Sequence, residues 1–215
     1  KQIFQVGLPA ALEQIIFQIG ITAFLILVAY YGTEAYAAYG IGVQILSFSF
    51  VIGFGFSIAG ATLVGQHLGA KNTDQAKRAG WGAMRLSIIS MTFFGIIITI
   101  FAEPLARFMI DNDEVVRLTV IFIWLLGSMQ PLMAIEFSLG GALRGAGDTK
   151  TPLAITLTCL LFIRVFLAVI FFLLDARIEV IFSTLVADYV VKGFLYVARF
   201  KSDQWMSVLK SKEAV

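Results

Sequence analysis

Six ionisable side chains, Glu13, Arg85, Glu136, Arg164, Asp188 and Lys192, interrupt stretches that are otherwise apolar over the length of a membrane-spanning helix. A charge at the centre of such a stretch costs about 2.5–3.5 kcal/mol to insert into a bilayer, so each is a candidate functional group. At about 1.5 Å rise per residue, Glu13 lies roughly 9 Å from one end of its stretch, and Glu136 lies roughly 10 Å from the same-side end of its own. Two carboxylates at one depth, facing one cavity, would favour proton uptake through repulsion and desolvation, or together hold a cation. The alternative is that each is neutralised separately by a base or by water. Gln14 and Gln18, four residues apart, lie close to the face of Glu13, while Gln44 and Gln130 punctuate two other stretches. Amides hydrogen-bond varied substrates without a fixed charge, and they also join helices to one another. Glu13, Gln14, Gln18, Gln44, Gln130 and Glu136 are therefore the candidate substrate- or cation-binding residues.

Arg164 and Asp188 sit near the middle of two consecutive apolar stretches and read as an ion pair. Lys192 follows Asp188 by four residues on the same helix face and extends the pair to an intramembrane charge network. An unpaired charge at that depth would be far costlier, so a structural pair holding two helices together is the first reading and a coupling network the second. Arg85 is placed to snorkel towards the aqueous boundary. Among twenty phenylalanines, Phe48, Phe50, Phe54 and Phe56 cluster; most must pack or face lipid, while a few could line an aromatic, cation-binding surface.

Six segments must position these groups: about residues 8–31, 36–64, 79–101, 115–143, 152–174 and 178–200. Each reaches the roughly twenty apolar residues that cross a ~30 Å hydrocarbon core as a helix. They are too long for tilted barrel strands and lack strict alternation. The expected fold class is an all-α integral membrane protein, with a six-transmembrane-helix bundle over residues 1–200. Residues 201–215 form a cytoplasmic, interfacial amphipathic tail in which Trp205, Met206, Val208 and Leu209 share a face. The separators, 32–35, 65–78, 102–114, 143–152 and 175–177, are too short for a soluble domain, and His67 in the second is expected to be solvated. Pro131 falls inside the fourth span and should kink it. Gly53, Gly55, Ser57, Gly60, Gly140, Gly141 and Ala142 permit close backbone approach, for tight packing or for bending.

Composition agrees with this placement. The 215 residues are 59% hydrophobic and 14% charged, with a mean hydropathy of +0.89, which excludes a soluble domain. The net charge of +2 matters less than its distribution. With both termini cytoplasmic, the inside collects Lys1, Lys71, Lys77, Arg78, Arg144, Lys150, Arg199, Lys201, Lys210 and Lys212, and the outside only Arg107, Arg117 and Arg177. A single cysteine, Cys159, and a single histidine exclude a disulfide framework and a four-ligand zinc site. No Ser-His-Asp arrangement, phosphate-binding GK[ST] loop or metal-ligand cluster is present, so neither an enzyme nor an ATP-driven motor is expected, and no cofactor. Nothing points to nucleic acid. The chain begins at Lys1 without a methionine or cleavable signal, which fits a piece of a longer protein.

Three motifs carry a family resemblance: Gly7-Leu8-Pro9-Ala10-Ala11-Leu12-Glu13-Gln14, then Ala61-Thr62-Leu63-Val64-Gly65-Gln66-His67-Leu68-Gly69-Ala70, then Leu143-Arg144-Gly145-Ala146-Gly147-Asp148-Thr149. In order and spacing the chain resembles the C-terminal half of MATE (multidrug and toxic compound extrusion) exporters. The resemblance implies one six-helix lobe of a twelve-helix transporter, completed by an N-terminal lobe in the same chain or in a second subunit. It implies a secondary antiporter in the bacterial inner membrane, exporting cationic or amphipathic small molecules in exchange for Na+ or H+. The acids that many sodium-type members carry fall at Phe17 and Met133, with Glu13 and Glu136 each about one turn inward. That parallel shift implies either a relocated cation site or coupling moved to the other lobe. In the third motif, Arg144, Asp148 and Lys150 are expected to fix the inner end of the lobe rather than touch substrate. Two alternatives stand beside the antiporter. One is a lipid-linked oligosaccharide flippase of the same superfamily, for which a more basic cavity is expected. The other is a non-transporting membrane scaffold, against which the buried polar groups argue.

Overall fold

Long uninterrupted apolar runs leave the backbone no hydrogen-bond partner but itself, and the chain folds almost entirely as helix. The computed structural model describes residues 2–206, with side chains from residue 7 onward, and contains no strand among them. Nine α-helices follow in chain order: α1 (Gln2–Ala29), α2 (Thr33–Gly69), α3 (Thr73–Ile100), α4 (Ala102–Met109), α5 (Asp113–Ser128), α6 (Gln130–Gly145), α7 (Lys150–Thr158), α8 (Phe166–Leu173) and α9 (Ile178–Lys201). A π-helical segment, Cys159–Val165, joins α7 to α8 without interruption, so Lys150–Leu173 is one span. Five helices are long and apolar enough to cross a bilayer, and α5 with α6 makes a sixth, broken span.

Two expected separators are partly helical. The segment 65–78 shortens to a turn because α2 runs on to Gly69, which places His67 in its last turn. Lys71 then adopts a left-handed conformation (φ 58°) and ends that turn. The segment 102–114 contains α4, whose Arg107 is bonded to both Glu103 and Asp113.

The fourth span breaks rather than merely kinks. α5 and α6 meet at Met129 with a bend of 54°. Pro131 stands in the first turn of α6, where its missing N–H costs nothing within α6 but leaves no continuous ladder into α5.

α6 packs against α2 along small residues. A side chain on Gly141 would collide with the backbone of Ser57, and one on Gly145 with that of Ala61. Gly60 in turn faces the carbonyl of Ser138. Close packing is thus the role of these positions, whereas Gly55 faces open space. After α6 the chain reverses through a Schellman turn: the Asp148 N–H donates to the Leu143 carbonyl, and that of Gly147 (φ 80°) to the Arg144 carbonyl.

The interior is layered along the helices. One apolar cluster, with Phe24, Leu46, Phe122 and Phe182, fills the end formed by the α1–α2 turn and the start of α9. A second, with Leu139, Leu143, Tyr196, Phe200 and Trp205, fills the end at the 143–152 turn. Trp205 is fully buried, stacked on Phe200, and its indole N–H donates to the Phe200 carbonyl. It therefore does not lie on a lipid-facing amphipathic tail, because Phe200 and the α3 N-terminus supply a packed partner; Val208 and Leu209 lie outside the described residues. On α9, Asp188 and Lys192 fall between the residues of the two clusters, and on the π segment so does Arg164. A polar belt thus crosses the lobe between two apolar ends.

Candidate functional site

The polar belt opens into a cavity of about 330 Å³. Its charged wall carries Glu13, Glu136, Arg144 and Arg164, with Gln14 and Thr156 beside them. Its aromatic wall is formed by Phe17, Tyr39, Phe50, Phe54, Phe122, Phe137, Tyr189 and Tyr196, with Met133 at the base of the broken span. Such a surface buries apolar ligand area while ring faces attract cations.

Glu13 and Glu136 do share the cavity, but each is matched to its own cation. The Arg144 guanidinium donates to Glu13 Oε1 at 3.0 Å and to Ser57 Oγ at 3.3 Å, and Thr156 Oγ1 donates to the same Glu13 oxygen at 3.4 Å. The Lys192 ammonium lies 3.4 Å from Glu136 Oε1. Separate neutralisation by a base, rather than mutual repulsion, is therefore the arrangement in this conformation.

From Arg164 on the wall a closely packed set of charges runs deeper into the lobe. Arg164 Nη2 stands 2.7 Å from Asp188 Oδ2, and Lys192 Nζ 3.2 Å from that oxygen. The side chains of Asp188 and Lys192 are at most 1% exposed, against 13% for Glu13, 20% for Glu136 and 32% for Arg144. The Tyr189 ring lies under both cations, 5.5 Å from each. Arg164 belongs to the π-helical segment and is buried near mid-span.

Three candidates lie elsewhere. Gln44 is exposed on α2, one helical step of about 100° from the cavity-lining Val43. Gln18 is exposed on α1, one step from Phe17, so only Gln14 of that pair reaches the cavity. Gln130 is fully buried at the α5–α6 break, where its Oε1 accepts from Ser49 Oγ at 2.6 Å and its chain packs on Gly95. It joins helices and does not line the cavity.

Arg144 is the converse case. Its neighbour Asp148 ties the 143–152 turn to α9, accepting from Thr151 and from both Nε and Nη2 of Arg199 at 3.0 and 2.7 Å. Arg144, however, sits in the last turn of α6, not in the turn beyond it, and its side chain reaches back into the cavity. Tyr189 and Thr156, unlike Arg144, lie outside the three motifs. Their spacing carries a signal only once Glu13, Arg164 and Lys192 are known to converge.

The bundle and this cavity define a polytopic helical membrane protein with a charged, aromatic-lined chamber at mid-span. Residues 9–170 match the family model described as MatE, and the chain belongs to that family, one of transporters rather than enzymes. It is 34% identical over 214 residues to the probable multidrug resistance protein NorM of Thermotoga maritima, covering 95% of this chain and 44% of that protein. It is 32% identical over 148 residues to the multidrug resistance protein NorM of Aliivibrio fischeri, covering 68% of this chain and 32% of that protein. The chain thus spans less than half the length of these curated relatives. The same fold appears in the structure of the MATE transporter ClbM in complex with Rb+ (TM-score 0.88, 20% identity, all of this chain and 50% of that one). One lobe of a MATE-type transporter is the architecture present.

Proposed function

We propose that this lobe forms one wall of the substrate path in a secondary antiporter that exports cationic or amphipathic small molecules in exchange for Na+ or H+. A second, N-terminal lobe completes the path, and the site lies between the lobes near the bilayer midplane and alternates by rocking. The observation that carries this reading is the cavity itself, with two partly exposed carboxylates, Glu13 and Glu136, set in an aromatic wall and each balanced by a cation of the lobe. A cationic substrate competes with Arg144 or Lys192 for a partly exposed carboxylate. The excess of lysine and arginine in the connections on one side of the bundle supports placing both ends of this segment in the cytoplasm of a bacterial inner membrane.

A lipid-linked oligosaccharide flippase is the second reading. It is favoured by two arginines on the cavity wall, Arg144 and Arg164. Their pairing with Glu13 and Asp188 leaves no excess of positive charge, which favours the antiporter. Expression of the complete transporter in an efflux-deficient host is expected to lower susceptibility to cationic dyes, and collapse of the ion gradients to abolish the effect. Unchanged susceptibility to every cationic dye would favour the flippase or a scaffold.

A further inference from the structure

We propose that Lys192 fills, as a tethered ammonium, the place a coupling metal cation would take in this lobe, so that cargo reaches Glu136 by displacing a lysine and not a sodium ion. The proposal rests on the antiporter reading above.

The Lys192 ammonium lies 3.2 Å from Asp188 Oδ2 and 3.4 Å from Glu136 Oε1. Two ring faces complete its surroundings, Tyr189 at 5.5 Å and Phe17 at 6.0 Å. Carboxylate oxygens and π faces converging on one point are a ligand set for a monovalent cation or an organic ammonium. Here the cation is covalently attached through its own side chain, and it is fully buried.

Charge balance points the same way. Arg164 and Lys192 supply two positive charges, and Asp188 and Glu136 two negative ones. No negative charge within the set is left over to hold a metal ion, and at the closed Asp188 end, where Lys192 and Arg164 already share one oxygen, no solvent would screen a further cation. Of the four, Glu136 is the member most open to the cavity, at 20% side-chain exposure, while the other three are at most 4% exposed. A cationic ligand arriving through the cavity therefore meets Glu136 first and competes with Lys192 for it. Lys192 keeps Asp188 as a partner when it yields, and the ligand's added positive charge stays at the cavity face of Glu136, the member of the set most open to the cavity.

The test is thermal stability of the purified complete transporter in sodium chloride against choline chloride, with methylammonium as a second probe. The wild type is expected to show no sodium-induced shift that depends on Glu136. Lys192→Ala vacates the site and is expected to gain a rise of about 3 °C with sodium or methylammonium, absent from the double variant Lys192→Ala/Glu136→Gln. A wild-type sodium shift abolished by Glu136→Gln overturns the proposal, and this comparison decides even where Lys192→Ala does not fold. Folded Lys192→Ala or Lys192→Gln that gains no shift with either cation also overturns it. Failure of the antiporter reading would appear instead as absent efflux by the wild type, a separate measurement.

Discussion

Asp188 is the residue on which the packed charges depend, since Arg164 and Lys192 both lean on one of its oxygens. Removing one partner of a buried pair costs more than the pair contributes, because the other charge is stranded. Asp188→Asn is therefore expected to destabilise the protein by about 3–5 kcal/mol, measured by thermal unfolding in detergent, with Arg164→Leu/Asp188→Leu recovering much of that loss. Arg144 acts differently, as a competitor for Glu13. Arg144→Gln is expected to tighten binding of a cationic dye by on the order of tenfold, about 1.4 kcal/mol, in a fluorescence titration. Unchanged or weakened binding would show that Arg144 does not compete. The Arg164, Asp188 and Lys192 network is legible in the sequence because charges at mid-span must find partners and i, i+4 spacing supplies one. Arg144 is not legible there, since its place beside Gly145 and Gly147 reads as a loop; only the end of α6 at Gly145 turns its side chain inward.

The six spans follow from apolar length, and the break in the fourth from Pro131, but the π-helical segment has no counterpart in the sequence. No glycine or proline lies within Cys159–Val165, so no residue type there marks the widened turn that carries the buried Arg164. Glutamine positions mislead for a similar reason. Polarity within a span does not say whether the side chain meets a cavity or a helix joint, as Gln14 and Gln130 respectively show, and Gln44 meets neither. The contact between α2 and α6 yields a prediction. Gly141→Leu is expected to abolish folded protein in size-exclusion chromatography because Ser57 backbone occupies the space, whereas Gly55→Leu, which faces open space, is expected to leave the elution profile unchanged. At the 143–152 turn, Asp148→Asn keeps acceptors for Thr151 but loses the charge facing Arg199, and should cost about 1–3 kcal/mol in the same unfolding measurement.

At the scale of the whole molecule, the described lobe has two apolar ends with a band of charged residues between them, beside a smaller apolar cluster around Met91 and Met133, and this band opens to a cavity. This layering lets the interior of a membrane protein carry charge: the closed ends hold the helices in place, and the belt between them supports a chamber that a second lobe would complete. The charge distribution predicts orientation as well. A cysteine placed at Lys150 is expected to react with an impermeant maleimide only from the cytoplasmic side, and one at Arg177 only from outside. The most direct measurement is the rate of cationic-dye efflux from cells expressing the complete transporter, comparing wild type, Glu13→Gln and Gln44→Leu. If Glu13 faces the cargo, Glu13→Gln slows efflux by at least about tenfold, the equivalent of ~1.4 kcal/mol, while Gln44→Leu, off the cavity, exports at the wild-type rate. Undiminished efflux by Glu13→Gln would contradict a role for this cavity in carrying the substrate.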